Sequence, residues 1–448
     1  MKRLARSGTT GTAPPATLSA TGAFSNLATL TPNAGLVAYA PNVNFWSDYA
    51  IKSRWFAIKN LTDTVGFSAN GNWTLPTGMV WVKHFDIDTT RGNPATRRKL
   101  ETRFLVKTAT DAYGLSYKWR EDQTDADLVA EDGLSELIPS SSPVQTWRYP
   151  SRTECRICHT TVGGHALSFN TRQMNRTQLF GAQTLNQLSA LSGVGYFTTP
   201  VMDVNSLSAY APADDTNSSL EWRVRSYLAV NCAQCHQPGG ASIGNWDARA
   251  TTPTDSANLI NGLLVNDGGD PNNRWCVAGD SGHSMILQRL SGTGVQRMPP
   301  LGTNERDLAN ETLLTDWINS ALPSRKNFTQ WQITHFGSTS IPEAQAAANP
   351  DGDEQRNDLE FLLDENPLAF DPSYLPISSP AGAAFSLTFN HPANRSVLIE
   401  ITTDLQTWSQ WNVPGNTPYF PATTQPRTLT GPLATPNSYF FRMRLSTP

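Results

Sequence analysis

Four of the five cysteines in this chain fall in two copies of one pattern, and they are its most informative residues. Each copy reads Cys-x-x-Cys-His, and the six residues are Cys155, Cys158, His159, Cys232, Cys235 and His236. This spacing is typical of c-type haem attachment, because two thiols reach the vinyl groups of one porphyrin edge and the next residue presents an imidazole to the iron. The sequence therefore predicts two covalent haems, each with one histidine as an iron ligand.

Two other uses of paired cysteines are less favourable. A thioredoxin-type pair lies in a βαβ context, and neither copy follows a parallel-strand pattern. A zinc site would need a second ligand pair at knuckle spacing, whereas the two copies lie 77 positions apart. Cys276 belongs to neither copy.

The second copy is flanked by patterns that predict helices. Ser218 and Glu221 have the spacing of a capping box, and apolar residues at helical spacing follow up to Cys232. A second amphipathic helix is predicted from Leu313 to Ala321. Between these helices stands Met298, which two prolines follow.

We interpret Met298 as the distal ligand of the haem held by Cys232 and Cys235. A thioether opposite the His236 imidazole gives a six-coordinate, raised-potential electron-transfer iron, and the prolines stiffen the loop. The alternative is a methionine that fills a gap in the core. Residues 218–322 resemble a class I cytochrome c domain, which implies a mainly α haem region.

The first copy has no comparable distal motif. Four residues are candidates for the sixth ligand of its iron: His84, His165, Met174 and Met202. None has a flanking motif, so the sixth position is either filled by one of them or open. An open position would allow ligand or peroxide chemistry.

Apolar and polar residues alternate with the period of strands on both sides of the haem region. The sequence predicts a multidomain chain with an N-terminal β-sandwich, a mainly α cytochrome c-like haem region and a C-terminal fibronectin-like β-sandwich. The predicted segments are residues 20–145 (sandwich), 146–217 (first haem attachment), 218–323 (cytochrome c-like), 324–371 (linker) and 372–448 (C-terminal sandwich).

The linker contains a stretch that has the oxygen spacing of a twelve-residue calcium loop. The predicted ligands are Asn349, Asp351, Asp353, Asn357 and Glu360 through their side chains and Gln355 through its carbonyl group. Position 6, usually glycine, is Glu354. The alternative is a solvated acidic turn.

Residues 20–322 resemble the dihaem c-type cytochrome regions of secreted proteins of the planctomycete and verrucomicrobium type. The resemblance is carried by residues 44–48 (Asn-Phe-Trp-Ser-Asp), 101–103 (Glu-Thr-Arg), 117–120 (Tyr-Lys-Trp-Arg), 147–151 (Trp-Arg-Tyr-Pro-Ser) and 173–176 (Gln-Met-Asn-Arg), together with the haem motifs. In that group such regions are often fused to, or encoded with, a quinoprotein sugar-dehydrogenase propeller. The resemblance therefore implies a redox partner, either a dehydrogenase or another cytochrome.

Charge and hydropathy exclude two classes of partner. The 448 residues carry a net charge of −4 without a run of Lys and Arg, which argues against nucleic-acid binding, and no run of 18 apolar residues could span a bilayer. Haem attachment of this kind takes place outside the bacterial cytoplasm, so we expect a periplasmic or extracellular protein. The N-terminus has a positive start without the apolar core of a leader, which suggests a fragment of a longer exported protein or a start assigned too late.

The leading functional hypothesis is electron transfer through two haems, from a donor dehydrogenase to a downstream acceptor, by a carrier rather than a catalyst. One alternative is a peroxidase-like enzyme with an open first haem. Another is a secreted adhesive or structural protein, which would require that no haem be bound.

Overall fold

The computed structural model describes residues 13–292, 296–370, 376–381, 384–432 and 439–448. Contacts divide the chain into two compact units, each built from separate segments. Unit 1 comprises Met1–Met202, Leu228–Arg249 and Ile286–Glu311, and unit 2 comprises Asp203–Tyr227, Ala250–Met285 and Thr312–Pro448. Both Cys-x-x-Cys-His motifs and Met298 therefore belong to unit 1.

Twelve strands lie in the described part of unit 1. They are β1 Phe24–Asn26, β2 Thr31–Pro32, β3 Val37–Ala38, β4 Ile51–Ala57, β5 Val80–Asp88, β6 Arg97–Lys107, β7 Ala112–Trp119, β8 Ala126–Leu128, β9 Leu134–Leu137, β10 Thr146–Tyr149, β11 Thr177–Phe180 and β12 Gln183–Asn186. Strands β3 to β8 form one six-stranded sheet in chain order, and its strand pairs are antiparallel. The others pair as the two-stranded sheets β1–β2, β9–β10 and β11–β12.

Eight α-helices occur among the described residues. They are α1 Arg152–Cys158, α2 Thr171–Met174, α3 Gln187–Gly193, α4 Leu220–Asn231, α5 Met285–Ser291, α6 Leu308–Asp316, α7 Phe328–Phe336 and α8 Asn357–Leu363. A π-helical turn, Trp317–Ala321, follows α6. The longest helix has 12 residues, and none of these helices is long and apolar enough to cross a lipid bilayer.

The two faces of the six-stranded sheet differ, because successive residues of a strand point to opposite sides. On β5, Val80 and Val82 pack into an apolar core with Trp55 and Phe104 from the neighbouring strands. The alternate positions of β5 point to the other face, where they line a cavity that receives the first haem motif. The alternation seen in the sequence thus produces one core face and one cavity face.

The predicted fold class is wrong. The described chain consists mostly of small β-sheets, and no mainly α cytochrome region is present. Helices do form where the sequence predicted them, over Leu220–Asn231 and from Leu308 to Ala321. Between residues 232 and 284, however, the described chain contains turns and no α-helix. Consecutive glycines explain part of this, since Gly268 and Gly269 both adopt positive φ (71° and 89°), which a right-handed helix excludes.

The N-terminal part also differs from a sandwich of two large sheets. In the described residues of unit 1, no other sheet has more than two strands, so hairpins, loops and short helices cover the six-stranded sheet. The alternating residues predict strands correctly, but they do not determine how many sheets those strands join. That choice depends on pairings between distant segments.

The predicted capping box of α4 is wrong by one residue. Ser219, rather than Ser218, accepts the backbone hydrogen bond of Trp222 through its hydroxyl group at 3.1 Å. Ser218 instead donates to Asp215 at 2.6 Å, and Glu221 forms an ion pair with Arg325 at 2.9 Å. Adjacent serines offer alternative caps, and the local partner of Ser218 and the distant partner of Glu221 select between them.

The C-terminal strands of unit 2 form two three-stranded antiparallel sheets. The strands are β13 Ile377–Ala381, β14 Ala384–His391, β15 Ser396–Thr402, β16 Ser409–Gln410, β17 Gln425–Gly431 and β18 Phe440–Ser446, in the orders β13–β14–β17 and β16–β15–β18. A shared core that includes Leu387, Val397, Ile399 and Trp411 joins the two sheets.

Candidate functional site

The first haem motif lies on the short helix α1 and immediately after it. Ser151 and Glu154 cap this helix reciprocally: the Ser151 hydroxyl accepts from the Glu154 backbone, and the Glu154 carboxylate accepts from the Ser151 backbone. Cys155 is buried and lies against β7, where a Cβ atom on Gly114 would stand only 2.5 Å from its sulfur. Glycine at position 114 therefore makes room for the Cys155 thiol.

The hydrogen bonding of His159 suits an iron ligand. Its Nδ1 atom donates to the backbone carbonyl of His165 at 2.5 Å, which leaves the lone pair of Nε2 available to a metal. Burial, with the charges of Arg103 and Lys83, lowers the pKa of His159 to about 4. The imidazole is therefore neutral at physiological pH, as metal ligation requires.

The second motif begins directly after α4. The ring of His236 lies 4.8 Å from the ring of Trp246, and a Cβ atom on Gly244 would stand 3.1 Å from the imidazole. Burial, together with Arg289, lowers the pKa of His236 to about 4. Burial likewise raises the pKa of the Cys232 thiol to about 12.

The fold brings the two motifs into contact. The thiols of Cys158 and Cys235 lie close together, and this proximity lowers the pKa of Cys235 and raises that of Cys158. Beside this contact, the side-chain amide of Gln237 donates to the carbonyl of Val162 at 3.3 Å. Residues far apart in sequence therefore place the two predicted haem attachments side by side within unit 1.

The motif cysteines do not surround a common metal position. Among the described residues, one group of three or more His, Cys, Asp or Glu side chains is close enough to share an ion. It consists of Asp351, Asp353 and Glu360 and contains no cysteine. A structural zinc site needs four ligands converging on one point. The arrangement of the thiols therefore argues against the zinc alternative.

A cavity that opens to solvent lies beside the first motif. Its walls include Arg54, Trp81, Lys83, Phe85, Arg103, Leu105 and Gly114 from the sheet, Cys155, Cys158 and His159 from the motif, and Pro299, Pro300, Leu301 and Gly302 from the loop after Met298. The cavity therefore places sheet, motif and loop residues around one space.

The residues of this cavity fit a covalently attached haem. Both thiols of the first motif and the His159 imidazole line the same space, and aromatic side chains supply apolar walls. Lys83 and Arg54 add basic groups, and burial lowers the pKa of Lys83 well below its usual range in the absence of an acidic partner. Apolar walls with a few polar groups are typical of cofactor sites.

None of the four sixth-ligand candidates for the first iron lines this cavity. His84 is buried with both ring nitrogens hydrogen-bonded, to Thr102 at 2.8 Å and Asp86 at 3.0 Å. Met174 is fully buried and Met202 is 90% exposed. His165 contributes its carbonyl oxygen to His159 instead.

Met298 is connected to the surroundings of both motifs through its neighbours. Its backbone N–H donates to the carbonyl of Arg289 at 2.8 Å, and Arg289 is close enough to His236 to influence its pKa. The two prolines that follow Met298 line the cavity of His159. Ligation of the second iron by Met298 stays a prediction.

No protein-family model, no curated protein and no solved structure matches this chain. The dihaem resemblance and the haem cofactors are therefore predictions that depend on the motifs and their surroundings.

The predicted calcium residues of unit 2 are only partly brought together. Asp351, Asp353 and Glu360 converge, and burial and the two aspartates raise the pKa of Glu360 to about 7. Asn349 is exposed, and its side-chain oxygen accepts from the backbone of Gly352 at 2.8 Å. Asn349 is therefore used in a local turn.

Sequence reasoning missed the basic residues of the cavity and Gly114. A lysine in the middle of a strand that is otherwise largely apolar, Lys83 in β5, was an available indication. The sequence gives no comparable indication for Arg54 and Arg103, because their proximity to Lys83 depends on strand register.

Proposed function

We propose that this chain is a c-type cytochrome that binds two haems covalently, at Cys155 and Cys158 and at Cys232 and Cys235. The proposal depends chiefly on one observation: two Cys-x-x-Cys-His motifs, distant in sequence, lie side by side, where Gln237 donates to the carbonyl of Val162 and the thiols of Cys158 and Cys235 are neighbours. Adjacent attachment points suit the passage of electrons from one haem to the next. We therefore propose electron transfer from a partner dehydrogenase to a downstream acceptor, outside the cytoplasm.

The residues of the chain would hold and orient the haems. The four thiols would form thioether bonds at the vinyl groups, and His159 and His236 would ligate the irons through Nε2. The hydrogen bond from His159 Nδ1 to the His165 carbonyl would fix the ring and increase its basicity. When bound, each haem supplies an iron that cycles between ferrous and ferric states, and its potential follows from axial ligands and burial.

One observation supports a second candidate function. The described cavity walls contain no second histidine and no methionine, which favours an open sixth position at the first iron and therefore peroxidase-like chemistry. Electron paramagnetic resonance of the oxidised protein separates the two. Two low-spin signals without cyanide binding indicate a pure carrier, and a high-spin signal that cyanide converts, with peroxide turnover, indicates an enzyme.

The primary experiment is export of the chain with haem-maturation machinery, followed by mass spectrometry and a pyridine haemochrome assay. We expect the mass of two haems that resist acid extraction, and one haem in a Cys155→Ala/Cys158→Ala variant. A bare polypeptide mass after proper maturation would contradict the proposal.

A further inference from the structure

A row of three basic side chains crosses the cavity face of the six-stranded sheet. Arg54 on β4 is the direct cross-strand neighbour of Lys83 on β5, and Lys83 lies opposite Arg103 on β6. Like charges directly opposite each other destabilise a sheet. A row of this kind therefore needs compensating negative charge.

Among the described residues, Arg103 is the one member of this row that forms an ion pair with a negatively charged side chain. Arg103 binds Glu101 through two hydrogen bonds, at 2.9 and 2.8 Å. In the described structure, neither Arg54 nor Lys83 forms an ion pair. Arg54 is 7% exposed, and its Nη2 atom has no hydrogen-bond partner. A buried charge without a partner is costly.

The two acidic residues that line the cavity are engaged elsewhere. Asp48 accepts hydrogen bonds from the backbone of Asn304 and Glu305, and Glu154 pairs with Arg148. The Lys83 ammonium faces the rings of Phe45 and Phe85, with ring centroids 5.4 and 5.0 Å from Nζ. The cavity therefore holds two basic groups beside the first haem motif that have no acidic partner, and a buried carboxylate would stabilise their charged forms.

We propose that Arg54 and Lys83 bind the carboxylate groups of the haem attached at Cys155 and Cys158. The inference rests on the proposed function. A haem attached along its vinyl edge carries two propionates, and these need cations when they are buried. Guanidinium binds a carboxylate with two parallel hydrogen bonds, and an ammonium group binds it as a point charge.

The test compares Arg54→Gln and Lys83→Met with the wild-type holoprotein. Arg97→Gln is the matched control, because Arg97 lies on the same sheet as an exposed ion pair with Asp88. Haem content is measured first. Spectroelectrochemical titration then gives the potential of each haem, and the first haem is identified by its loss in the variant without Cys155 and Cys158.

We expect both variants to lower the potential of the first haem, because a lost positive charge favours the ferric state. A tenfold change in the redox equilibrium corresponds to about 59 mV for one electron, and the control should not shift. Arg54→Lys should recover most of the wild-type potential. If Arg54→Gln does not fold, Lys83→Met serves alone, since methionine is a neutral replacement of similar length.

Several outcomes would overturn the proposal. The proposal is wrong if the first haem has the same potential in Arg54→Gln and Lys83→Met as in the control. A wild-type potential that varies with phosphate concentration at constant ionic strength would also overturn it, because it would indicate a small free oxyanion at this site. Haem-free wild-type protein after proper maturation would refute both this inference and the proposed function, whereas the other outcomes refute only this inference.

A different observation supports a second site, in unit 2. One ligand oxygen from each of Asp351, Asp353 and Glu360 lies within 4.8 Å of the others. Asp353 is 7% and Glu360 1% exposed, so solvent hardly screens the repulsion among the carboxylates. The nearby guanidinium of Arg356 pairs with Asp358 at 2.8 Å instead.

Buried oxygen atoms near these carboxylates lack hydrogen-bond donors. Oε2 of Glu360 has no partner. Asn357 is fully buried; its amide nitrogen donates to the carbonyls of Glu343 and Gln345 at 2.8 Å, but its Oδ1 has no partner. Asn357 and Glu360 are three residues apart on α8 and therefore lie on the same face. A bound cation would satisfy these buried acceptors.

We infer that a calcium ion binds Asp351, Asp353 and Glu360, with Asn357 as a further oxygen ligand. Calcium takes six to eight oxygen ligands in flexible geometry, whereas magnesium demands near-ideal octahedral geometry and keeps several waters. The ligand set differs from the predicted twelve-residue loop, since Asn349 is used in a turn. The ion would link the loop at residues 351–353 to the start of α8.

Calorimetric titration of the chelator-treated full chain with calcium, and separately with magnesium, tests this site. We expect calcium binding that Glu360→Gln weakens at least tenfold and that the control Asp358→Asn leaves unchanged. Thermal unfolding gives a second test, because the effect of Glu360→Gln on Tm should change sign with calcium. In chelator the substitution should raise Tm above that of the wild type, because it relieves repulsion. In calcium it should lower Tm relative to the wild type.

Absence of binding heat at millimolar calcium, with a Tm that does not respond to calcium, would overturn the calcium site. Equal or tighter binding of magnesium would overturn the choice of ion. These readouts do not involve haem, so they are independent of the proposed function.

Discussion

At the scale of single residues, Gly114 controls access of the Cys155 thiol to the cavity. A Cβ atom at position 114 would lie 2.5 Å from the Cys155 sulfur, a distance that forces one of them to move. We expect Gly114→Ala to reduce haem content from two haems per chain to one, measured by pyridine haemochrome. Gly193→Ala, where a Cβ meets nothing within 4 Å, should retain two. Full haem content in Gly114→Ala would contradict the assigned position of Cys155.

Met298 is the second residue whose role a substitution tests. We expect Met298→Ala to abolish the weak near-infrared sulfur-to-iron band and to lower the potential of the haem at His236, because a thioether ligand raises it. Met202→Ala, at a position 90% exposed, is the control.

The same substitution in a chain without Cys155 and Cys158 shows which of the two irons Met298 ligates. The prediction requires that the band be present in that single-haem chain and vanish with Met298→Ala. A single-haem chain without the band would instead associate Met298 with the cavity of His159, which Pro299 and Pro300 line.

At the scale of elements, helix α1 has only seven residues and depends on its N-terminal cap. Ser151→Ala removes the hydroxyl that accepts from the Glu154 backbone, and such losses cost about 1 kcal/mol. We expect the free energy of unfolding of the haem-free chain to fall by about that amount in urea titrations. Thr153→Ala, an exposed position in the same helix, should change it by less than about 0.5 kcal/mol. Equal effects would show that the cap contributes nothing.

At the scale of the whole molecule, the contact between the two motifs has a consequence in the haem-free chain. Because the thiols of Cys158 and Cys235 are neighbours, mild oxidation should join these two cysteines in a disulfide between motifs. Peptide mapping without reduction detects that link. Buried Cys276, whose pKa is raised by burial, should stay reduced. Disulfides exclusively within each motif would contradict the tertiary contact.

The same contact predicts that the haems of the matured protein influence each other. Reduction of one iron removes a positive charge close to the other, and in a low-dielectric interior this lowers the second potential. We expect a redox titration in which each haem's midpoint differs between the two-haem chain and the matching single-haem variants. Identical midpoints in both forms would indicate that the haems are far apart.

The sequence by itself determined the residues capable of chemistry and the local structure around them. The Cys-x-x-Cys-His spacing names the thiols and imidazoles without any knowledge of the fold, because attachment and ligation involve neighbouring residues. Strands at Val80–Asp88 and Ala112–Trp119 follow from alternation, and helix α4 follows from apolar periodicity. Local preferences suffice for such features, as they depend on interactions within a few residues.

Only the tertiary structure decided how these parts combine. The contact between Cys158 and Cys235, the row formed by Arg54 and Lys83, and the space that Gly114 leaves for Cys155 join residues that are distant in sequence. The mainly α prediction was wrong for the same reason, since two short helices do not determine what the loops between them do. Pairing register and long-range packing are cooperative properties of the whole unit, and a single sequence read in local windows contains no direct measure of them.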